Sequence, residues 1–107
     1  MSLRFTSVPM QNGQYVWRLH SPQNELVARA ATAFDTLDGA QRAAATFKAV
    51  SSNVRFVVYV NAVGEWRWRA CRHHLNLARS GGTFPTRASA EQAVAFVQSR
   101  AGSASGV

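Results

Sequence analysis

Residues 15–19 read Tyr-Val-Trp-Arg-Leu, and residues 66–70, 51 positions later, read Trp-Arg-Trp-Arg-Ala. Apolar residues occupy every second position in both stretches, which is the period of a β-strand that buries one face. A Trp-Arg pair falls at the same place in each stretch, as Trp17-Arg18 and Trp68-Arg69. The two stretches therefore predict two equivalent strands, each with an aromatic face and a face that carries arginine.

The sequence around these strands also matches itself. At the same spacing, Arg4-Phe5 recurs as Arg55-Phe56 and Gly13 recurs as Gly64. After a one-residue shortening in the next turn, further identities continue through the second half: Ala28-Arg29 with Ala78-Arg79, Phe34 with Phe84, Thr36 with Thr86, Ala40 with Ala90, and Ala43 with Ala93. Because Trp, Gly, Phe and Thr keep their order with a single gap, the pattern indicates a tandem duplication of one unit.

Each unit is predicted to form three strands and then a helix. Turn-forming residues separate the strands of the first unit, Asn-Gly at residues 12–13 and Ser-Pro-Gln-Asn at residues 21–24. The predicted strands span residues 3–8, 15–19 and 26–29 in the first unit and 54–60, 65–70 and 75–79 in the second. One such unit is too small to bury a core alone, whereas two units that share a sheet can do so. The chain is therefore predicted to be one α+β domain.

Apolar residues recur at the i, i+3, i+4 and i+7 positions of both predicted helices, so each helix has one apolar stripe. The stripes consist of Ala40, Ala43, Ala44 and Phe47 in the first unit and of Ala90, Ala93, Val94 and Val97 in the second. Thr36 and Thr86 stand where the helices begin, and a threonine hydroxyl there can cap free backbone amides. The small side chains predict that both helices lie close against a sheet.

The repeated motif resembles that of the YegP-like family, small bacterial and archaeal proteins of unknown function. The motif comprises an aromatic residue, a glycine turn, Tyr-x-Trp-Arg-Leu, a short aliphatic strand that ends in Ala, a second aromatic residue, and a Ser or Thr before the helix. It is carried here by Phe5, Gly13, residues 15–19, residues 26–28, Phe34 and Thr36, and again by Phe56, Gly64, residues 66–70, residues 75–78, Phe84 and Thr86. The chain departs from the motif at residues 22–24 and 72–74, where the family has an Asn-Gly type of turn, and at Ala70, which replaces leucine.

The resemblance implies a fold and no activity. It implies an α+β architecture in which tandem β(3)-α repeats, residues 3–50 and 54–100, form one antiparallel sheet with two helices packed on one face and pseudo-two-fold symmetry. Residues 1–100 then form a single domain. The remaining residues, 101–107, are Ala, Gly and Ser up to a final Val, lack periodicity, and are expected to form a flexible tail.

Length and composition exclude several classes of protein. The 107 residues are 47% hydrophobic, with three Trp, two Tyr and six Phe, which excludes an intrinsically disordered chain. No apolar run approaches the roughly 18 residues that would cross a bilayer, and residues 1–5 lead straight into a strand pattern rather than a signal peptide. Cys71 is the only cysteine, so no internal disulfide can form. These features predict a cytoplasmic protein without membrane contact.

The net charge is strongly positive. Twelve Lys and Arg stand against five Asp and Glu, for a net charge of +7. Such a balance favours acidic partners, nucleic acid among them. Eleven of the 12 basic residues are arginine and the chain is rich in alanine, so a GC-rich genome is an alternative source of the same bias.

Few residues are arranged to carry chemistry. Asp35 and Asp38 lie where a helix is predicted to begin, which is typical of carboxylates that stabilise a helix N-terminus. Residues 71–74 read Cys-Arg-His-His, but a closed zinc site needs four ligands and His20 is the only other histidine. No glycine-rich stretch has the spacing of a phosphate-binding loop. We therefore expect no catalytic residues, no metal and no cofactor, and we interpret the protein as not being an enzyme.

Two functions fit these observations. The first is a small non-catalytic bacterial interaction module that binds another protein or pairs its sheet edges with another copy. The second is a nucleic-acid-binding protein that uses an arginine-rich outer sheet face, because strand alternation places the arginines opposite the aromatic side chains. The candidate anion- or nucleic-acid-binding residues are Arg18, Arg29, Arg67, Arg69 and Arg79. The aromatic face is interpreted as core, with a stacking platform for unpaired bases as the alternative.

Overall fold

The computed structural model describes residues 2–107, whose backbone alternates between strand triplets and helices. The elements are β1 (Arg4–Pro9), β2 (Tyr15–His20), β3 (Leu26–Ala30), α1 (Leu37–Val50), β4 (Arg55–Val60), β5 (Trp66–Arg72), β6 (Leu75–Ser80) and α2 (Arg87–Arg100), followed by a 3-10 turn at Ala101–Ser103. The strands and helices match the predicted order, and most of their bounds agree within two residues.

All six strands form one antiparallel sheet in the order β1-β2-β3-β6-β5-β4. The central pair joins the two halves of the chain, since Ala28, Arg29 and Ala30 of β3 lie opposite Ser80, Arg79 and Ala78 of β6. β1 and β4 are the edge strands. The predicted α+β class with a single antiparallel sheet is therefore confirmed.

Local turn chemistry sets the two outer hairpins. Gly13 and Gly64 each adopt a positive φ, +85° and +86°, and they close the β1–β2 and β4–β5 turns. Asn12 and Asn61 support these turns, because their side-chain oxygens accept backbone amides of Gln14 and Glu65. The inner strand pairs are less regular, with a register shift after Leu19 in β2 and after Ala70 in β5.

Each helix begins at the predicted threonine. The Thr36 hydroxyl accepts the Gly39 amide at 2.9 Å, and the Thr86 hydroxyl accepts the Ser89 amide at 3.1 Å. The Ser89 side chain also reaches back to the Thr86 amide, so α2 has a reciprocal cap. Within residues 2–107, neither helix is long and apolar enough to cross a membrane.

The core lies between the helices and the aromatic face of the sheet, which we call the inner face. Trp17 and Trp68 are 1% and 0% exposed there. Trp17 stacks on Phe47 of α1 with ring centroids 5.2 Å apart and meets Phe5 edge to face at 5.6 Å. The interpretation of these tryptophans as core is therefore confirmed, and it leaves neither indole free to stack on a base.

The centre of the inner face is lined with small residues, which lets the helices approach closely. Four alanines of the central strands are buried: Ala28, Ala30, Ala70 and Ala78. On the helices, Ala40, Ala44 and Ala90 are buried as well, whereas Ala43 and Ala93 are only half-buried.

Residues 101–105, part of the segment 101–107 that was expected to be a flexible tail, pack against the sheet. Ala101 and Ala104 are buried, at 0% and 2% exposure. Ser105 lies parallel to β1, where its carbonyl accepts the Phe5 amide at 2.8 Å and its amide donates to the Leu3 carbonyl at 2.9 Å. Gly106 follows with φ +95°, and a Cβ there would lie 2.2 Å from the Phe5 carbonyl oxygen. The small residues of this segment therefore allow the chain to pack against the sheet edge. Composition alone had indicated disorder for it.

Candidate functional site

Four arginines lie side by side across the outer face of the sheet, opposite the core. Arg18 of β2 is directly opposite Arg29 of β3, which is opposite Arg79 of β6, which is opposite Arg69 of β5. We call this set the arginine row. Neighbouring strands lie about 4.8 Å apart, so the row spans roughly 14 Å. Arg67 lies on the same face of β5, two residues before Arg69.

The sequence places these side chains outward because buried residues flank every one of them. Arg18 stands between Trp17 and Leu19, and Arg29 stands between Ala28 and Ala30, all four of which are buried. In β5 and β6 the flanking residues are equally buried: Trp68 and Ala70 around Arg69, and Ala78 and Ser80 around Arg79. Since successive side chains point to opposite faces of a strand, each arginine must leave the core on the other side.

The candidate arginines differ in how freely they meet solvent. Arg18 and Arg79 are exposed, whereas Arg29, Arg67 and Arg69 are half-buried. All five predicted residues are brought onto one face. Two of the five side chains are therefore open to solvent, and three are partly covered by neighbouring residues.

Electrostatic repulsion is concentrated at the middle of the row. Burial, and then the like charges of Arg79, Arg67 and Arg18, lower the pKa of Arg29 from its usual value. Its Nε is buried and has no hydrogen-bond partner within residues 2–107. A guanidinium stays charged at neutral pH even so. The row is therefore a strip of positive charge. An anion bound to it would reduce the repulsion between the arginines.

The same field reaches the neighbouring end of β2. Burial, and then the charges of Arg4 and Arg18, lower the pKa of His20 below its usual 6.5. His20 Nε2 lies 3.3 Å from the Thr6 hydroxyl. The neutral imidazole is favoured at this end of the sheet.

No carboxylate compensates the row. Among residues 2–107, the ion pairs are Arg42 with Asp38 and Arg87 with Glu91, both of which lie within helices. Glu65 accepts from Asn61 at 3.1 Å at the tip of a hairpin. Asp38, Glu91 and Glu65 therefore serve helices and a turn, and none of them forms an ion pair with the row.

A shallow pocket opens beside the second half of the row. Its volume is about 140 Å³, and it is lined by Arg69, Arg79, Tyr59 and Asn76 together with Ala31 and Ala78. The guanidinium carbon of Arg69 lies 5.3 Å from the centre of the Tyr59 ring, a cation–π distance. Two cations, an amide and an aromatic ring at one pocket make a suitable environment for a phosphate group and an adjoining planar base.

Sequence reasoning missed Tyr59 and Asn76. Counting back from the Gly64 turn places Tyr59 opposite Arg67, so alternation along β4 could have identified it as an outer-face residue. Asn76 pairs with Cys71 across the register shift that follows Ala70. No residue pattern marked that shift, and Asn76 could not have been assigned to this pocket.

The Cys-Arg-His-His stretch lies at a hairpin turn away from the row. His73 and His74 are exposed and adopt positive φ values of 50° and 68°. The Cys71 sulfur lies 3.6 Å from the Arg55 carbonyl oxygen. Nowhere in residues 2–107 do three His, Cys, Asp or Glu side chains gather as a metal site would need.

Two apolar grooves flank the central strands on the inner face. One, of about 310 Å³, lies between α2 and the ends of β3 and β6 and includes Leu26, Phe84 and Ala93. The other, of about 400 Å³, lies beside α1 and includes Phe34, Ala43 and Leu77. They explain why Ala43 and Ala93 are only half-buried, since each alanine faces open space on one side.

The comparisons with known proteins concern the fold. No protein-family model and no curated protein matches this sequence. The solution NMR structure of protein yegP from E. coli, described as a protein of unknown function, superposes with a TM-score of 0.83 at 17% identity, over 100% of this chain and 91% of that one. The solution NMR structure of UPF0339 protein SO3888 from Shewanella oneidensis gives a TM-score of 0.82 at 14% identity, over 96% of this chain and 87% of that one.

At these sequence identities the similarity shows a common fold. It assigns no role to individual residues. The order of six strands and two helices, reached here from the repeated Trp-Arg strands, is the property in common. The chain therefore has the fold of yegP and of UPF0339 protein SO3888, and its resemblance to the YegP-like family is confirmed as a likeness of fold.

Proposed function

We propose that this protein is a small non-catalytic interaction module that acts by binding a macromolecule on the outer face of its sheet. The contacts made by its charged side chains support this proposal. The carboxylates of Asp38, Glu91 and Glu65 are engaged in helix ends and a turn. Five of the eleven arginines, by contrast, lie together on the outer face of the sheet. Such a division suits a protein that binds, and protein partners, self-association and nucleic acid are the partners to consider.

The arginine row favours a polyanion, and single-stranded nucleic acid is the ligand we propose for it. The observation that carries this proposal is the direct lateral alignment of Arg18, Arg29, Arg79 and Arg69, none of which forms an ion pair within residues 2–107. Like charges placed directly opposite each other destabilise a sheet, so an unliganded row is costly. The phosphates of a nucleic-acid backbone would relieve that repulsion. The Tyr59 ring beside Arg69 offers a surface on which a base can stack.

We further propose that the chain arose by duplication of a β(3)-α unit and that its halves are related by a pseudo-two-fold axis between β3 and β6. The repeated identities in the sequence support this. So do matching local features, such as the Tyr15–Phe34 and Trp66–Phe84 bridges and the threonine caps. Such an axis would pass between Arg29 and Arg79. An experimental structure in which Trp17 and Trp68 fail to superpose, when the halves are overlaid, would contradict the proposal.

The binding proposal is tested with a labelled single-stranded oligonucleotide and fluorescence anisotropy. The unmodified chain is expected to bind at low salt and to weaken steeply between about 50 and 200 mM KCl, because phosphate contacts release counterions. Arg79→Ala is expected to weaken binding and to reduce the slope of log K against log salt by about 0.7, the value for one phosphate contact on a single strand. Arg79 is exposed and lies directly opposite both Arg29 and Arg69, so its removal relieves repulsion and thermal stability should not fall.

The matched control is Arg42→Ala. It removes the same charge from α1, on the opposite side of the sheet, where Arg42 is 80% exposed and paired with Asp38. Binding by this variant should stay close to that of the unmodified protein. Equal weakening by both variants would show that only net charge matters and would contradict a site on the row. Absence of binding at low salt would reject nucleic acid and leave a protein partner as the proposed ligand.

A further inference from the structure

The two edges of the sheet present different backbone groups to solvent. Met10 donates its amide to Gln14, and Asn61 donates its amide to Glu65, so these residues face into their hairpins. Hydrogen-bonded and non-bonded positions alternate along an antiparallel pair. Counting back along each regular ladder, the outward-facing backbone groups belong to Phe5, Ser7 and Pro9 on β1 and to Phe56, Val58 and Val60 on β4.

The β1 edge is closed at two of its three outward positions. The Phe5 amide donates to the Ser105 carbonyl, 2.8 Å away. Pro9 has no amide hydrogen to donate. Ser7 alone keeps an outward-facing N–H on this strand within residues 2–107. The C-terminal segment and one proline therefore protect this edge from another strand, as natural sheets commonly do.

The β4 edge has neither protection. In the described part of the chain it pairs with β5 alone, and it contains no proline. Five of its six residues are apolar or aromatic, with Arg55 the exception. Val60 is 48% exposed at its end, and Val63 in the following turn is 78% exposed. An apolar edge with three free outward N–H groups is a surface suited to pairing with a further strand.

We propose that β4 pairs in antiparallel fashion with β4 of a second copy of this chain, so that the two sheets become one. The inference rests on the proposed interaction role and names its surface and partner. The outward-facing backbone N–H and C=O groups of the two β4 strands lie opposite each other when the two-fold axis that relates the copies passes through Val58. Val58 then pairs with Val58 of the second copy, and Phe56 pairs with Val60 of the second copy, each pair exchanging two backbone hydrogen bonds.

Side-chain chemistry favours a second copy as the occupant. In this register the one charged residue of β4, Arg55, lies opposite Asn61 of the second copy. The Asn61 side chain donates to the Glu65 carboxylate at 3.1 Å, so each arginine approaches a carboxylate, and the two-fold axis repeats the contact. On the outer face Val57 meets Tyr59 of the second copy, a β-branched and aromatic pair that stabilises neighbouring strands.

Repulsion between the two arginine rows does not oppose this pairing. Arg69 lies on β5, so two β4 strands separate it from β5 of the second copy. Three strand spacings come to roughly 14 Å, which exceeds the screening length of about 8 Å at physiological salt. The pairing would instead extend the outer face, with one row on each side of the joined edges.

The test is the mass of the intact chain by sedimentation velocity over a series of concentrations. We expect a monomer–dimer equilibrium. Val60→Pro should shift it to monomer, because it removes an outward N–H that pairs only between copies and is not used within the fold. The matched control is Ser7→Pro, which removes the remaining outward N–H of β1 and should leave the dimer intact.

Amide hydrogen exchange on the unmodified protein provides a second measurement that needs no variant. The amides of Phe56, Val58 and Val60 should exchange more slowly as the concentration rises, while the Ser7 amide should exchange at a constant rate. A chain that stays monomeric up to its solubility limit, or a dimer that Val60→Pro leaves intact, would overturn the inference. A monomer that still binds oligonucleotide would overturn the inference while leaving the proposed function in place. A dimer that binds no oligonucleotide would support the inference and reject nucleic acid as the ligand of the outer face.

Discussion

Arg29 is unfavourable for the fold, and the proposed ligand would account for its presence. It lies between Arg18 and Arg79, its Nε lacks a partner within the described chain, and its pKa is lowered by burial and by those neighbours. A side chain selected for stability alone would be apolar or would have a carboxylate beside it. The position therefore fits a protein that keeps charge on its surface for a ligand at some cost in folding free energy.

Arg29→Met is expected to separate the two effects. The substitution keeps a long stem and removes the charge, so the free energy of unfolding should rise by up to about 1 kcal/mol as two directly opposed like-charge pairs disappear. Urea denaturation measures this gain, and oligonucleotide affinity should fall in the same variant. A loss of stability with unchanged affinity would show that the guanidinium packs structurally and does not serve a ligand.

At the scale of elements, the helices show where periodicity is informative and where it stops. The 3.6-residue spacing identifies both apolar stripes, and Thr36 and Thr86 mark where the helices begin. The spacing of apolar residues does not predict how wide the gap is between each apolar stripe and the sheet. Ala90 is fully buried, whereas Ala93, one turn later, borders a groove of about 310 Å³.

Substitution by leucine should distinguish these two alanines. Ala90→Leu is expected to overpack the helix–sheet interface and to cost about 1–3 kcal/mol. Ala93→Leu can extend its side chain into the groove beside Phe84 and should cost less. Thermal or urea unfolding of the two variants measures the difference. Equal costs would mean that the groove closes in solution and that the helix lies nearer to β3 and β6.

The predictability of each element follows from the range of the interactions that define it. The strands around Trp17 and Trp68 are set by alternation and by adjacent turn residues, and the sequence predicts them well. Asn76 depends on a register shift, and Ser105 depends on pairing with a strand about a hundred residues earlier. The register shift lies within a short hairpin but no residue pattern marks it, and the Ser105 contact is too distant in sequence to leave a local pattern, so both were missed by sequence reasoning. Among the candidate site residues, four arginines were predictable because each is flanked by buried neighbours, and Arg67 because it lies between Trp66 and Trp68.

For the whole molecule, the balance of charge predicts how folding responds to salt. The net charge is +7, and only two ion pairs occur among residues 2–107, both within helices and exposed. Repulsion is therefore the larger electrostatic contribution, and ions screen it. Raising KCl at constant pH should increase Tm while it weakens oligonucleotide binding. A Tm that falls as salt rises would contradict this balance and would assign the larger contribution to the two ion pairs.

The even lateral spacing of the arginine row has a consequence for the direction of a bound strand. A nucleic-acid backbone runs 5′ to 3′, but four guanidinium groups at equal steps are the same when met from either end. The row alone would hold an oligonucleotide equally well in both orientations. The difference between its ends is that β4 supplies Tyr59 beside Arg69, whereas β1 supplies Thr6 opposite Arg18. Any preference for one strand polarity would therefore come from the Tyr59 ring and from Arg67, whose equivalent at the other end is Val16.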